Sequence, residues 1–220
     1  MAQNIIVVGS ARAGKTYLMN HLTRSYFEPF QDAPYQPTIG IDLVGTNVVH
    51  NISYVYWDSS GQERFIEITR PYFQKCDVIM IVFDLSSQNF QDLKQWYDWS
   101  HCSEKPTLIV GTKHDLVGEG SAAMLMATVK FAQERECPFY PTSSVSGMGI
   151  TELRNALQSL VPDEHILEQA QTKNRQGKRR SSVRGLFSCF HFFRKRGYKT
   201  IDEIQPDRNK YPATDLGVSV

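Results

Sequence analysis

The sequence feature that most constrains this chain is an eight-residue stretch near its N-terminus, residues 9–16, which reads G-x-x-x-x-G-K-T. The four apolar residues 5–8 precede this stretch and predict a short buried strand. Apolar residues within 17–22 follow it with the spacing of one helix face. A strand, a glycine-rich loop and a helix in this order predict a loop that binds phosphate groups.

Each residue type in this loop has a chemical reason to be there. Gly9 and Gly14 allow the backbone to turn tightly and to approach a ligand closely. The loop amides and the helix N-terminus would then point at a di- or triphosphate. Lys15 would reach the outer phosphates, and the Thr16 hydroxyl would bind Mg²⁺. A chance glycine-rich turn is the alternative, but the glycine spacing, the Lys-Thr pair and the flanking elements favour the phosphate loop.

The length and composition of the chain fit one sizeable domain with an appendage. It has 220 residues, of which 41% are hydrophobic, and a net charge of only +1. The four cysteines are Cys76, Cys102, Cys137 and Cys189, and they are too widely spaced to form metal-ligand pairs, so we expect reduced thiols. Because no signal peptide and no apolar run of transmembrane length is visible, we expect a cytosolic protein.

Strand and helix patterns alternate along the chain, which predicts an α/β fold with a mostly parallel six-stranded sheet and helices on both faces. The predicted strands are 4–8, 41–50, 52–58, 78–83, 107–110 and 138–141. The first predicted helix follows the phosphate loop and ends near residue 23, and three further helices span 89–100, 121–136 and 151–160. His50-Asn51 is a plausible hairpin turn. The aromatic residues of 89–100 are interpreted as core rather than as a binding surface.

Polar residues stand where several of these strands end. Asp58, Asp115 and Ser143 each follow an apolar stretch, and ligands of such sheets bind at the carboxyl ends of strands. Asp58 would help to hold Mg²⁺. Gly61 could approach a terminal phosphate through its backbone N–H, and Gln62 could orient an attacking water. A strand-ending Asp alone is more often a turn former, but one that follows a phosphate loop at this distance favours the metal site.

With these segments on the page, the chain resembles the Ras superfamily of small GTPases, and most closely its Rab branch. The resemblance covers roughly residues 4–162 and rests on T-I-G-I-D-L at 38–43, W-D-S-S-G-Q-E-R-F at 57–65 and I-V-F-D-L-S at 81–86. It implies a P-loop NTPase G domain over 1–164 that binds GTP or GDP with Mg²⁺ and hydrolyses GTP. It also implies effectors, an exchange factor and a GTPase-activating protein that dock on switch I, which includes 38–43, and on switch II, which opens at 57–65.

The resemblance also implies a role for each site residue. Phe27 would stack on the guanine ring, Lys113 would pack along the base, and Asp115 would accept hydrogen bonds from the guanine N1–H and 2-amino group. A helix N-cap is the alternative role for Asp115. The implied nucleotide-binding set is Ala11, Arg12, Ala13, Gly14, Lys15, Thr16, Tyr17, Phe27, Thr38, Gly61, Thr112, Lys113, Asp115, Ser143, Ser144 and Val145, with Gln62 as the catalytic residue and Thr16, Thr38 and Asp58 on the metal.

Several positions depart from the family pattern. Thr112 stands where most members carry Asn, and Ser143-Ser144-Val145 replaces the usual Ser-Ala-Lys. Ala11 adds a methyl group close to where Gln62 must work, so we expect slow intrinsic hydrolysis. The Pro-rich segment between residues 27 and 38 is longer than the usual Rab spacing, which should alter the partners that dock there. The domain contains no obvious arginine finger, so we expect a partner to supply one.

Residues 165–220 form a predicted tail, variable and largely flexible, in which a basic stretch is interleaved with aromatic residues. This pattern favours contact with an anionic membrane surface. A solvated tail is one alternative, and a nucleic-acid patch is the less favoured one. The residues proposed for the membrane are Phe187, Phe190, Phe193, Arg194, Lys195 and Arg196. The chain ends without the terminal cysteines that Rab proteins normally carry, and Cys189 is a candidate for lipidation.

Together these features predict a monomeric Rab-like switch GTPase in vesicle traffic, cytoplasmic and peripheral on the cytoplasmic face of an intracellular membrane. A slowly hydrolysing, GTP-bound scaffold that presents its switch surfaces is the alternative, left open by Ala11 and the altered guanine-loop residues. A small-molecule phosphotransferase is disfavoured by Asp115 and by the lack of a visible lid.

Overall fold

Six strands form one sheet in the computed structural model of the chain, which describes residues 2–23, 36–49, 52–87, 89–101, 103–118 and 121–159. The strands are β1 (Ala2–Val8), β2 (Ile41–Val49), β3 (Ile52–Ser59), β4 (Val78–Asp84), β5 (Thr107–Thr112) and β6 (Phe139–Pro141). The helices are α1 (Lys15–Thr23), α2 (Ile66–Lys75), α3 (Phe90–His101), α4 (Ala122–Glu134) and α5 (Ile150–Ser159). The predicted α/β class and the predicted elements are confirmed, with ends that differ by at most two residues.

Helix α2 is the one long element that the sequence patterns did not predict. It follows a short 3₁₀ turn, Glu63–Phe65, and has Pro71 in its interior. Proline removes a helical hydrogen bond and normally argues against a helix. Here Pro71 lies on the exposed side, while Ile66, Thr69 and Phe73 point into the core. Burial of that face outweighs the poor local propensity.

The sheet order is β2-β3-β1-β4-β5-β6, and only β2 and β3 pair antiparallel. Four parallel strands therefore end at the same edge as β3. The register places Val7 beside Asp58 and Asp84 beside Thr112. This edge carries the loop after β1, so the strand-end polar residues converge on it as the sequence predicted.

Helices cover both faces of the sheet. On one face α1 and α5 contribute Leu18, Leu22 and Leu153 to a core layer with β1 and β4. On the other face α2, α3 and α4 pack against the alternate residues of the same strands. Trp96 and Leu93 of α3 are almost fully buried there, as the sequence interpretation of 89–100 required. Each such side chain contributes roughly 1.5–3 kcal/mol by leaving water.

Several predictions fall outside the described residues: the hairpin at His50-Asn51, Phe27, and the whole of 165–220. The division into a domain at 1–164 and a tail at 165–220 therefore stays a prediction. Among the described helices, none combines the length and the apolar character needed to cross a bilayer.

Candidate functional site

The loop between β1 and α1 has backbone geometry that only a few residues can adopt. Gly9 has φ +141°, and a Cβ there would lie 2.0 Å from the carbonyl oxygen of Val82. Gly14 has φ +86°. Arg12 also lies in the left-handed region, at φ 64°, which is uncommon for a residue with a side chain. The loop therefore curls tightly against β4.

The curled loop surrounds the ammonium group of Lys15. Its Nζ donates hydrogen bonds to the carbonyl oxygens of Gly9, at 2.9 Å, and Ser10, at 3.0 Å. The side chain is only 6% exposed. Burial lowers the pKa of Lys15 to about 8, against the opposing influence of the Asp58 carboxylate. A desolvated positive charge held in this way is well placed to bind a polyanion.

Asp58, near the end of β3, gathers the two threonines proposed for the metal. Its Oδ2 accepts a hydrogen bond from Thr16 Oγ1 at 2.6 Å and another from Thr38 Oγ1 at 2.9 Å. Its Oδ1 is buried and has no hydrogen-bond partner among the described residues. Burial raises the pKa of the Asp58 carboxyl, although the two threonine bonds and the Lys15 charge act in the other direction.

These three side chains fit Mg²⁺. The ion prefers hard oxygen ligands and usually takes one or two carboxylates together with substrate phosphates and water. The cluster offers one carboxylate with an unsatisfied oxygen and two hydroxyl oxygens next to it. A buried anion with an orphaned acceptor is costly unless a cation compensates it. A divalent cation at this position would supply that compensation.

The segments before β2 and after β3 close over the same end of the site. The backbone N–H of Ser60 donates to the carbonyl of Gly40 at 2.7 Å. Gly61 packs directly on the phosphate loop, since a Cβ there would lie 2.3 Å from the backbone nitrogen of Ala11. Gln62 lies beside them at the rim of the cleft.

A cleft of about 640 Å³ runs along these residues. It is lined by Ala11, Arg12, Gly14, Lys15, Thr16, Tyr17, Asn20, Gln36, Pro37, Thr38, Ser60, Gly61, Gln62 and Lys113. Ten of these belong to the predicted site residues, and the ten come from four separate parts of the sequence. Asn20, Gln36, Pro37 and Ser60 were missed, because no motif assigns a role to these positions and only the fold shows that they line the cleft.

At the far end of the cleft, β5 is tied to the phosphate loop. Thr112 Oγ1 lies 2.6 Å from the carbonyl oxygen of Ala13 and 3.1 Å from that of Phe83. The hydroxyl has a single proton, so the shorter contact is the hydrogen bond. Thr112 thus joins two loops that are far apart in sequence, although it stands where most family members carry Asn.

Lys113 is anchored by an ion pair that the sequence interpretation missed. It has a left-handed backbone, at φ 56°, and its Nζ lies 2.7 Å from Asp84 Oδ2. The other oxygen of Asp84 accepts from the Ser86 backbone and hydroxyl. The signal available was that Asp84 ends an apolar strand, as Asp58 nearly does. Only the register between β4 and β5 shows which residue Asp84 contacts.

Asp115 lies in a short 3₁₀ turn, His114–Leu116, whose N-cap is Lys113. The alternative role of helix N-cap is therefore wrong. Ser143 donates its hydroxyl to Asp115 Oδ1 and accepts hydrogen bonds from the backbone N–H groups of Val145 and Ser146. This fixes the carboxylate relative to the loop that contains Ser144. These residues, together with Ala13 and Thr112, do not line the 640 Å³ cleft itself.

The fold and this site define a nucleotide-binding α/β domain built around a P-loop. A model of the Ras family matches residues 4–162. The chain therefore belongs to the Ras family.

Its relatives narrow the branch. Ras-related protein Rab-4B of Homo sapiens is 32% identical over 155 residues, which are 67% of this chain and 70% of that protein. Ras-related protein Rab-32C of Dictyostelium discoideum is 33% identical over 181 residues, 77% of this chain and 75% of that protein. Ras-related protein Rab-30 of Homo sapiens is 29% identical over 156 residues, 68% and 74% of the two chains. The predicted resemblance to Rab-like small GTPases is confirmed.

Proposed function

We propose that this chain binds GTP and GDP together with Mg²⁺, hydrolyses GTP to GDP and phosphate, and acts as a nucleotide-dependent switch that recruits effectors in membrane traffic. The observation that carries this proposal is the cluster of Lys15, Thr16 and Thr38, which line the cleft, with Asp58, which accepts a hydrogen bond from each threonine. It combines a desolvated cation, two hydroxyls and an unsatisfied carboxylate oxygen. That is the combination a metal-bound triphosphate requires.

Phosphoryl transfer to water needs positioning and charge neutralisation more than covalent chemistry. Mg²⁺, when bound, supplies positive charge at the phosphate oxygens. In this chain Lys15 would neutralise the outer phosphates, and the N–H of Gly61 would donate to the terminal one. Gln62, which lies at the same end of the cleft, would orient the attacking water.

Base selection rests on Asp115. A carboxylate is matched by two donors on one base edge, which guanine presents and adenine does not. The bond from Ser143 leaves the second carboxylate oxygen for the base. Lys113, held by Asp84, would cover one face of the base.

The switch would be read by partner proteins. Thr38 and Gly61 would both contact the terminal phosphate or its metal, so hydrolysis would release the segments on either side of β2 and β3. Exposed apolar side chains lie on these same elements: Ile39 is 79% exposed, and Leu43 and Ile68 are each 51% exposed. They offer a surface for effectors, an exchange factor and an activating protein. An arginine supplied by the activating protein would raise the rate by about 10³–10⁵.

The direct test is the nucleotide carried by the purified full-length protein, followed by competition between GTP and ATP with and without Mg²⁺. We expect bound guanine nucleotide and Mg²⁺-dependent displacement by GTP but not by ATP. Equal displacement by the two nucleotides would contradict the assignment of Asp115. The absence of binding to either nucleotide would contradict the whole proposal.

A second function is suggested by the identity of residue 11, an alanine in the part of the phosphate loop that lies against Gly61. With a methyl group beside the catalytic position, the chain could remain in the GTP form and act as a scaffold that presents its switch surfaces. Phosphate release measured with and without cell extract separates the two functions. A switch accelerates when an activating protein is present, whereas a scaffold does not.

We further propose that the basic and aromatic stretch of residues 165–220 holds the protein at the cytoplasmic face of an intracellular membrane. The support is the sequence pattern described above, in which basic clusters flank Phe187, Phe190 and Phe193. Lipidation of Cys189 would add a second anchor. Nucleic-acid binding is the less favoured alternative for the same stretch.

A further inference from the structure

Two adjacent serines at the end of β3 use their hydroxyl groups differently. Both are buried, with Ser59 0% and Ser60 1% exposed. Ser59 Oγ donates to the carbonyl oxygen of Val7 at 2.8 Å, which ties β3 to β1. Ser60 Oγ only accepts, from the backbone N–H of Gln62 at 3.4 Å. Among the described residues, no acceptor receives the Ser60 hydroxyl proton.

Ser60 lines the cleft at the end where the terminal phosphate would lie, and Ser59 does not line it. Its backbone N–H is committed to Gly40, in the segment that carries Thr38. Its neighbour Gly61 rests against Ala11 of the phosphate loop. Ser60 is therefore held in place by the backbone contacts that it and Gly61 make, and its hydroxyl has a free donor next to the cleft.

A buried hydroxyl without an acceptor is unfavourable unless a ligand completes it. Hydrogen bonds to charged oxygens are also stronger than those between neutral groups. We propose that Ser60 donates its hydroxyl proton to an oxygen of the terminal phosphate, and so makes the chain prefer nucleoside triphosphate over diphosphate. This inference rests on the proposed function and assigns a specificity-determining residue within the same site.

The test compares two affinities in full-length protein with saturating Mg²⁺: one for GDP and one for a non-hydrolysable GTP analogue. In Ser60→Ala we expect the affinity for the GTP analogue to fall about tenfold or more, as expected for loss of a hydrogen bond to a charged group. The affinity for GDP should be unchanged, because GDP lacks the third phosphate, which is the one that would receive the bond.

Ser59→Ala is the matched control, since it removes an equally buried hydroxyl one residue away. It should lower thermal stability through loss of the Val7 bond and leave the ratio of the two affinities unchanged. The ³¹P signal of the terminal phosphate provides an independent readout, which Ser60→Ala should shift and Ser59→Ala should not.

Equal weakening of both nucleotides in Ser60→Ala, or no change in either, would overturn the inference. If that variant does not fold, Ser60→Cys keeps the volume with a much weaker donor and is expected to show the same selective loss. Wild-type protein that binds no guanine nucleotide would overturn the proposed function and this inference together. Wild-type binding with an unaltered ratio in Ser60→Ala would overturn this inference alone.

Discussion

The carboxyl group of Asp58 is buried, and its Oδ1 has no hydrogen-bond partner among the described residues. Burial raises its pKa, so the folded chain holds the proton at a pH where the unfolded chain has lost it. The contribution of this group to stability therefore falls as pH rises through the raised pKa. Ionisation of this carboxyl therefore weakens the ligand-free fold, although the proposed metal site needs the ionised form.

Asp58→Asn removes that charge and keeps the shape of the side chain. We expect the nucleotide-free variant to melt about 2–4 °C higher, which corresponds to about 1 kcal/mol in a domain of this size. Nucleotide binding should lose its dependence on Mg²⁺. Asp42→Asn is the comparison variant, because Asp42 is exposed, stands opposite Asp58 in the β2–β3 register and is only a minor cause of the raised Asp58 pKa, so its removal should raise the melting temperature less. A lower melting temperature for nucleotide-free Asp58→Asn than for wild type would contradict this reasoning.

Ala11 is a second residue whose side chain is expected to act against the proposed activity. Its backbone nitrogen lies 2.3 Å from the position of a Cβ built on Gly61, so residue 11 lies directly against the start of switch II, where we expect a methyl group to hinder Gln62. Ala11→Gly should increase single-turnover GTP hydrolysis by up to about 10²-fold, because small misplacements of catalytic groups have effects of that size. GTP affinity, measured in parallel, should stay within a few-fold of wild type. A rate in Ala11→Gly no higher than that of wild type would refute the expectation.

At this scale the sequence predicts residues whose role follows from a local pattern. Gly9, Gly14 and Lys15 are of this kind, because a tight loop permits few alternatives at their positions. Ser60 and Asp84 are not. Strand register brings Asp84 to Lys113, and loop closure places Ser60 at the cleft. Both depend on contacts between residues that are far apart in the sequence.

Helix α3 contacts the phosphate loop through one hydrogen bond. Trp96 is interpreted from sequence as core, and it is 2% exposed, yet its Nε1 donates to Ser10 Oγ at 3.2 Å. This bond connects α3 to the loop that surrounds Lys15. The indole has no other polar atom, so Ser10 supplies the acceptor that it needs when buried.

Ser10→Ala should leave the Trp96 N–H without an acceptor and lower the free energy of unfolding by about 1–3 kcal/mol. Thermal or denaturant unfolding measures this, and tryptophan emission should shift as well. Trp96→Phe removes the donor, so the double variant should be little worse than Trp96→Phe alone. Fully additive losses would show that the bond contributes nothing.

The elements themselves were predictable in proportion to how regular their patterns are. The continuous apolar runs of β4 and β5 leave little choice, because β5 is buried throughout and β4 is buried up to Phe83. Helix α2 was missed because Pro71 argues against a helix, and only tertiary burial of Ile66 and Phe73 shows why it forms.

For the whole molecule, the described domain and the basic stretch are proposed to have different tasks. The full chain should float with vesicles that contain anionic lipid, and a chain that ends at residue 164 should not. Each basic residue near such a surface contributes about 1 kcal/mol. Replacing the basic residues 194–196 by Gln should therefore reduce the affinity for anionic vesicles by roughly 10²-fold. Replacing Phe187, Phe190 and Phe193 by Ala is the matched variant for the apolar part.

The outcomes separate the electrostatic and apolar contributions. Loss of flotation only in the Gln variant would indicate a purely electrostatic contact, and loss in both would support an interfacial helix. Equal flotation at zero anionic lipid would remove the electrostatic part of the argument.

The bond between Ser60 N–H and the Gly40 carbonyl continues the hydrogen-bond ladder of β2 and β3 one rung past their last pair, Ile41 with Ser59. An extra rung at the open end of a ladder can fray without disturbing the rungs behind it. Its loss costs only about 0.5–1.5 kcal/mol. The Ser60–Gly40 hydrogen bond can therefore break and re-form, which would free the segments before β2 and after β3, while the pairing of β2 with β3 stays intact.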